Sequence, residues 1–182
     1  MKKLWIPSKY LKNKSNLFKF EKFITKRYKI NFNFDYQKIL NWSIKNSPDF
    51  WDAVWDFCKI KGIKGKKKII KSKIFYKNNF LPAYKLNFAE NLLSKNNTSK
   101  AITFISENGF NEIRTWKNLN EDTSKLIQLF KKIKIRSKDR VAGYMPNTIE
   151  NVEGFLATSA IGAIWSSCSP DFGISGVIER FS

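Results

Sequence analysis

The chain has 182 residues, 42% hydrophobic and 15% aromatic, with a formal net charge of +19. That is long enough for one domain or one and a half with a proper core, and too apolar for a disordered chain. With no histidine and only two cysteines, His-dependent triads, histidine metal sites and a disulfide framework are all excluded, and a zinc site has no ligand set. No apolar run approaches the ~20 residues that a bilayer span needs. The N-terminal Met1 to Pro7 reads as mature sequence and not a signal peptide, and the free thiols fit a cytoplasmic setting. Of 34 basic residues only five are arginine, the side chain favoured for bidentate phosphate contacts. The charge therefore reads mainly as a lysine-coated surface, whose field would nonetheless favour anionic ligands.

In chain order, the first hundred residues read as helical and aromatic. Ser15 or Asn16 caps a helix with Leu17, Phe20, Ile24 and Tyr28 on one face, and Asp35 caps a second with Tyr36, Ile39, Leu40 and Ile44. Ser47-Pro48-Asp49 is a helix start, with proline and a carboxylate in the first turn. The third helix carries Phe50, Trp51, Val54, Trp55 and Cys58, an aromatic stripe that reads as core. Lys59 to Lys73 reads as a solvated loop before a strand at about 69–76; its rival reading is a phosphate, nucleic-acid or membrane-surface patch. Phe80 to Leu93 reads as a turn and a short helix, and polar Ser94 to Lys100 as a linker. The expected division is therefore a cap region, 1–97, and a second region, 98–182.

Ala101–Ile105 and Glu112–Trp116 flank Glu107-Asn108-Gly109, the signature of a hairpin, because Asn-Gly tolerates positive φ. Thr115 or Asn118 starts a helix with Leu119, Leu126, Ile127, Phe130 and Ile133 in register. Arg140–Met145 is a strand that must stop at Pro146, since proline cannot donate to a ladder. Asn147 or Thr148 caps the next helix, whose stripe is Val152, Phe155, Leu156 and Ser159. A second apolar strand, Ala163–Ser167, follows Gly162, giving a parallel strand–helix–strand unit. The loop Ser169-Pro170-Asp171-Phe172-Gly173 leaves its carboxyl end, where open α/β sheets bind ligands, and Ser175 caps a last helix.

Several of these segments occur together in one known family. Leu4–Ser8, Pro48–Asp56, Leu86-Asn87-Phe88-Ala89-Glu90-Asn91, Asp139–Ala142 with Pro146-Asn147, and Gly162–Gly173 resemble the adenylate-forming acyl-CoA synthetases. Within that family, Leu86–Asn91 and Ser169–Gly173 look most like the branch that activates acetoacetate. The resemblance implies an α/β fold: a helical N-terminal segment, then a β-hairpin and the first βαβ unit of the large domain, incomplete at the C-terminus. It implies an acid-thiol ligase that uses ATP, CoA, magnesium and acetoacetate. Another short-chain acyl-CoA ligase is the nearest alternative, and a lysine-rich binding module a more distant one. Ser169, Pro170, Asp171, Phe172 and Gly173 match the family's first CoA-contacting turn, although Pro170 and Asp171 stand where the acetyl branch has glycines. The same residues also read simply as a tight βα turn. The family's Thr/Ser/Gly-rich phosphate loop, hinge aspartate and distal lysine have no match here, so no catalytic residue is expected and the 182 residues alone are expected not to turn over. Lys138 stands where the family carries glycine.

Overall fold

The computed structural model describes residues 4–182; the reading of residues 1–3 lies outside the described residues. The chain forms two compact units, divided at Lys85/Leu86.

The first unit is helical. Its helices are α1 (Lys9–Lys14), α2 (Asn16–Tyr28), α3 (Tyr36–Lys45) and α4 (Ser47–Phe57). The expected caps form: Ser15 Oγ accepts from the Phe18 amide at 3.1 Å, and Asp35 Oδ1 from the Gln37 amide at 2.8 Å. Pro48 sits in the first turn of α4. Helix α1 is unexpected from the sequence. It is all polar or exposed and begins where the Ser8 hydroxyl accepts from the Leu11 amide at 3.3 Å.

The core gathers Phe20, Ile24, Phe32, Ile39, Trp42 and Ala53, with Phe50 and Phe57 in edge-to-face contact with Phe20. The stripe expected on α3 is corrected: Ile39 is buried, but Tyr36 and Ile44 are exposed and Trp42 takes the core position. The indole buries more apolar area than either, against Tyr28, Phe32 and Phe50, so the helix rotates to it. On α4, Trp55 is buried while Trp51 and Cys58 are exposed, and Asp52 shares the inner face. The strand expected at about 69–76 shrinks to β1 (Ile69–Ile70), paired antiparallel with β2 (Asn79–Phe80). Ladder pairing ends there because the Ser72 amide turns to Asn78 Oδ1 (2.8 Å) and a 3₁₀ turn, Phe75–Lys77, follows.

The second unit opens with α5 (Phe88–Leu92), capped by Asn87, whose side-chain amide also donates to the Ser159 and Ala160 carbonyls at 2.9 and 3.1 Å. Strands β3 (Lys100–Ile105) and β4 (Asn111–Thr115) form the expected hairpin, with Gly109 in its turn at φ +83°. Helix α6 (Trp116–Lys132) starts at Thr115, whose hydroxyl accepts from the Asn118 amide at 3.1 Å. Leu119 and Phe130 are buried as expected, whereas Ile133 is exposed past the helix end.

Strands β5 (Arg140–Tyr144) and β6 (Ile164–Cys168) are parallel, with α7 (Ile149–Ala160) between them in sequence. Leu156 is fully buried, and Val152 and Phe155 pack beside it on α5 and α6 residues. Thr148 is the N-cap of α7 but caps no amide through its side chain; its hydroxyl serves the carboxylate of Glu150 and helps hold that group below its ordinary range. Helix α8 (Ile174–Phe181) has Gly173 as its N-cap, two residues before the expected Ser175, which lies inside the helix.

The turn into β5 explains one departure from the family pattern. Lys138 adopts φ +73°, the left-handed region that costs a side-chain-bearing residue about 1–2 kcal/mol. Its amide, which a glycine would keep, donates to the Gly162 carbonyl at 2.9 Å. Lys138→Gly is expected to stabilise this unit by about 0.5–1 kcal/mol after the entropy that glycine returns to the unfolded chain. A urea midpoint that stays or falls would show the backbone there to be unstrained.

Candidate functional site

The five residues singled out from the sequence form one continuous turn between β6 and α8. The Ser169 hydroxyl donates to Asp171 Oδ2 at 2.6 Å, and the Phe172 amide to the Ser169 carbonyl at 3.1 Å. Asp171 thus closes the turn on itself. Pro170, Asp171 and Gly173 face solvent, and a β-carbon placed on Gly173 would meet nothing within 4 Å. Two residues not foreseen from the sequence shape this turn. Tyr144, at the end of β5 and in register with Cys168, points its hydroxyl at the carbonyls of Pro170 (3.0 Å) and Phe172 (3.2 Å). The Arg180 guanidinium lies over the Phe172 ring, 4.5 Å from its centroid. Beside them, Phe172, Gly176, Glu179 and Arg180 line an open hollow of about 290 Å³. Parallel pairing, which sets the ends of both strands side by side, was the available signal for Tyr144. For Arg180 it was a spacing of seven residues, two helical turns, after Gly173.

The second candidate, the lysine-rich stretch, divides. Lys64 Nζ is 2.8 Å from Asp52 Oδ1 and 2.7 Å from the Asp56 carboxylate; Lys68 Nζ is 2.7 Å from Asp49 Oδ1. Arg27 from α2 meets Asp52 and Asp56, both at 2.5 Å, and the Tyr84 hydroxyl donates to Asp52 at 2.9 Å. Asp52 is only 3% exposed. Burial would push its carboxyl up, but hydrogen bonds from Lys64 and Tyr84 and the charges of Lys64 and Lys68 outweigh it and hold it at about 2. The acids of α4 therefore claim Lys64 and Lys68 for the fold. Gly62 and Gly65, which lack the context of a phosphate loop, have a packing role: a β-carbon at either would lie 2.4 and 2.6 Å from the carbonyls of Lys85 and Pro82.

In the second unit, Arg114 on β4 bonds Glu112 and approaches Glu153 on α7 at 3.2 Å and Asp122 on α6 at 3.5 Å. Burial pushes the Glu153 carboxyl up, and the Arg114 hydrogen bond only partly offsets it. Glu153 borders a hollow of about 560 Å³ whose apolar lining includes Leu129, Val141, Met145 and Trp165. Among the described residues no three His, Cys, Asp or Glu side chains group to hold a metal, and no helix is long and apolar enough to cross a membrane.

Residues 93–179 match the family of AMP-binding enzymes. The acetoacetyl-coenzyme A synthetase of Rhizobium meliloti (strain 1021) is 39% identical over 178 residues, 98% of this chain and 27% of that protein. That of Xenopus tropicalis is 39% identical over 152 residues, 81% of this chain and 23% of its own length. The structure of acetoacetyl-CoA synthetase from Streptomyces lividans superposes with a TM-score of 0.89 at 25% identity, covering all of this chain and 28% of that one. The chain is thus similar to the AMP-binding enzymes over residues 93–179, in keeping with the resemblance its motifs carry. Within that class its similarity is to the acetoacetyl-CoA synthetases, and it spans about a quarter of the length of the curated relatives it matches.

Proposed function

We propose that these residues serve an acetoacetate–CoA ligase, which activates acetoacetate with ATP to an acyl-adenylate and pyrophosphate, then transfers the acyl group to the CoA thiol with release of AMP. The observation that carries the reading is the 39% identity to the Rhizobium meliloti protein along 98% of the chain. In this reading residues 1–97 are the helical cap and 98–182 the start of the AMP-binding domain. Ser169, Pro170, Asp171, Phe172 and Gly173 form one wall for CoA. The open side of Gly173 supports that role, since backbone without a β-carbon lets a pantetheine arm come close. Arg180, stacked on Phe172, offers a fixed cation to a phosphate. Magnesium would enter with the ATP and is assigned to no residue of this chain. A cytoplasmic home agrees with two free cysteines.

A chimaera tests the proposal. Residues 1–182 in place of the matching amino-terminal quarter of the Rhizobium meliloti protein are expected to keep acetoacetate-dependent pyrophosphate release. The 182-residue chain alone is expected to release none, because no run in it is rich in Thr, Ser and Gly and ends in Pro-Lys. A soluble, folded chimaera that is inert toward acetoacetate, or works only with another short-chain acid, would overturn the assignment.

A further inference from the structure

Between Asp56 and Glu90 the sequence carries ten lysines, no arginine and no acid. Lys64 and Lys68 are spent on the aspartates of α4. Among the described residues, Lys66, Lys67, Lys71, Lys73 and Lys77 stand within ion-pair distance of no carboxylate, and all five are exposed. Three of them sit on the loop of residues 71–78 that joins β1 to β2. That loop is held by its own hydrogen bonds: the Ser72 amide to Asn78 (2.8 Å), the Ile74 amide to the Ser72 hydroxyl (3.2 Å) and the Lys77 amide to the Ile74 carbonyl (3.0 Å). Three of its amides are thus satisfied within the loop, while its lysine side chains point to no carboxylate among the described residues.

Those side chains are not only charged. Tyr76 is 80% exposed, Ile74 is exposed beside it, and Ile70 and Phe80 are exposed on the strands below. The hairpin also borders a groove of about 440 Å³ that contains exposed Trp51 and Ile44, with Lys71 among its lining residues. Lysines interleaved with aliphatic and amphipathic aromatic residues fit one surface chemistry best. Anionic headgroups attract the ammonium groups within a Debye length, and the acyl boundary takes the apolar tips, where tyrosine and tryptophan concentrate. A nucleic acid would repay the lysines but not the isoleucines, and it would favour arginine, which the segment lacks.

We propose that the 71–78 loop is an interfacial attachment surface for an anionic lipid bilayer, with Lys71, Lys73 and Lys77 at the headgroups and Ile74 and Tyr76 at the acyl boundary. This docking is independent of the ligase reading.

The test is co-sedimentation of the 182-residue chain with phosphatidylcholine vesicles with and without about one-third phosphatidylserine, at low and high salt. Binding is expected only to the anionic vesicles, and to fall steeply with salt. Changing Lys71, Lys73 and Lys77 together to glutamine is expected to weaken it about 100-fold, at roughly a factor of five per lysine. Ile74→Ser with Tyr76→Ser, at unchanged charge, is expected to weaken it about tenfold. Lys100, Lys131 and Lys132 changed to glutamine should leave it unaltered. Four results would each overturn the proposal: no vesicle binding; an equal loss from the control triple, which means bulk charge; no loss from the serine pair, which means a generic polyanion site; or self-association abolished by Tyr76→Ser, which means a second copy is the occupant.

Discussion

Replacing Asp52 with alanine is expected to cost the first unit about 3–5 kcal/mol, the range for removing one partner of a buried charge network. The size follows from how many groups converge on one carboxylate. Arg27, Lys64 and Tyr84 all bond it directly, and Lys68 stands 3.5 Å away. Removing it leaves Arg27 and Lys64 with Asp56 alone, and Asp56 is far more exposed than Asp52. Asp52→Asn keeps the shape and is expected to lose nearly as much, because a neutral amide cannot offset two cations. Hydrogen exchange read on peptides from 18–57 reports this unit apart from the other. Protection that falls by less than about tenfold would show that water replaces the network at little cost.

Acid should act in opposite directions on Asp52 of the first unit and Glu153 of the second, with the lowered Glu150 of the second unit offsetting part of the Glu153 gain. Asp52 sits at about 2 in the folded state against 3.8 ordinarily, so its contribution is complete above the unfolded value. It is lost as pH falls from about 5 through 2, and amounts to about 2–3 kcal/mol by linkage. Glu153 in the second unit is shifted the other way, upward by burial first. Protonating it relieves a charge that folding disfavours, so its contribution improves as pH falls through its folded value. The first unit is therefore expected to open before the second on acid titration.

Gly143→Ala is expected to cost about 1–3 kcal/mol through overpacking. A β-carbon at Gly143 would lie 2.7 and 2.8 Å from two atoms of the Trp165 ring, and one at Gly154 on α7 would lie 2.9 Å from the same ring. The indole is clamped between a strand glycine and a helix glycine and cannot yield by a few tenths of an ångström on either side. Its available escape is the 560 Å³ hollow that it already lines. The variant should therefore shift tryptophan emission to the red. A second change, Trp165→Leu, should recover most of the loss, giving a coupling above about 1 kcal/mol in a double-mutant cycle. Strict additivity would mean that the strand, and not the ring, takes up the strain.

Much of the second unit was legible because its signals are local. The Asn108-Gly109 turn, the Thr115 cap and the stop at Pro146 each constrain a few neighbouring residues, and the hairpin and the parallel pair follow. The first unit was less legible. On α3, Tyr36, Leu40 and Ile44 offer one apolar row and Ile39 and Trp42 another; periodicity allows both, and only packing against Phe32 and Phe50 chooses. On α4, Asp52 reads as a solvent residue until Arg27 and Lys64 arrive from elsewhere in the chain. The candidate turn Ser169–Gly173 was visible from its position after a strand. The hold that Tyr144 places on it was not, because a strand's neighbour is invisible in its own segment.

The Asp52 cluster also bears on the order in which the first unit closes. Its partners lie 25 residues before it and 12 and 32 residues after it, so no short segment can assemble it. Each bond needs a loop closed in advance, which places the cluster among the last contacts to form and the first to break. Such late contacts retard unfolding while leaving the rate of folding almost untouched. The carboxylate of Asp52 thus works as a latch on the lifetime of the folded unit.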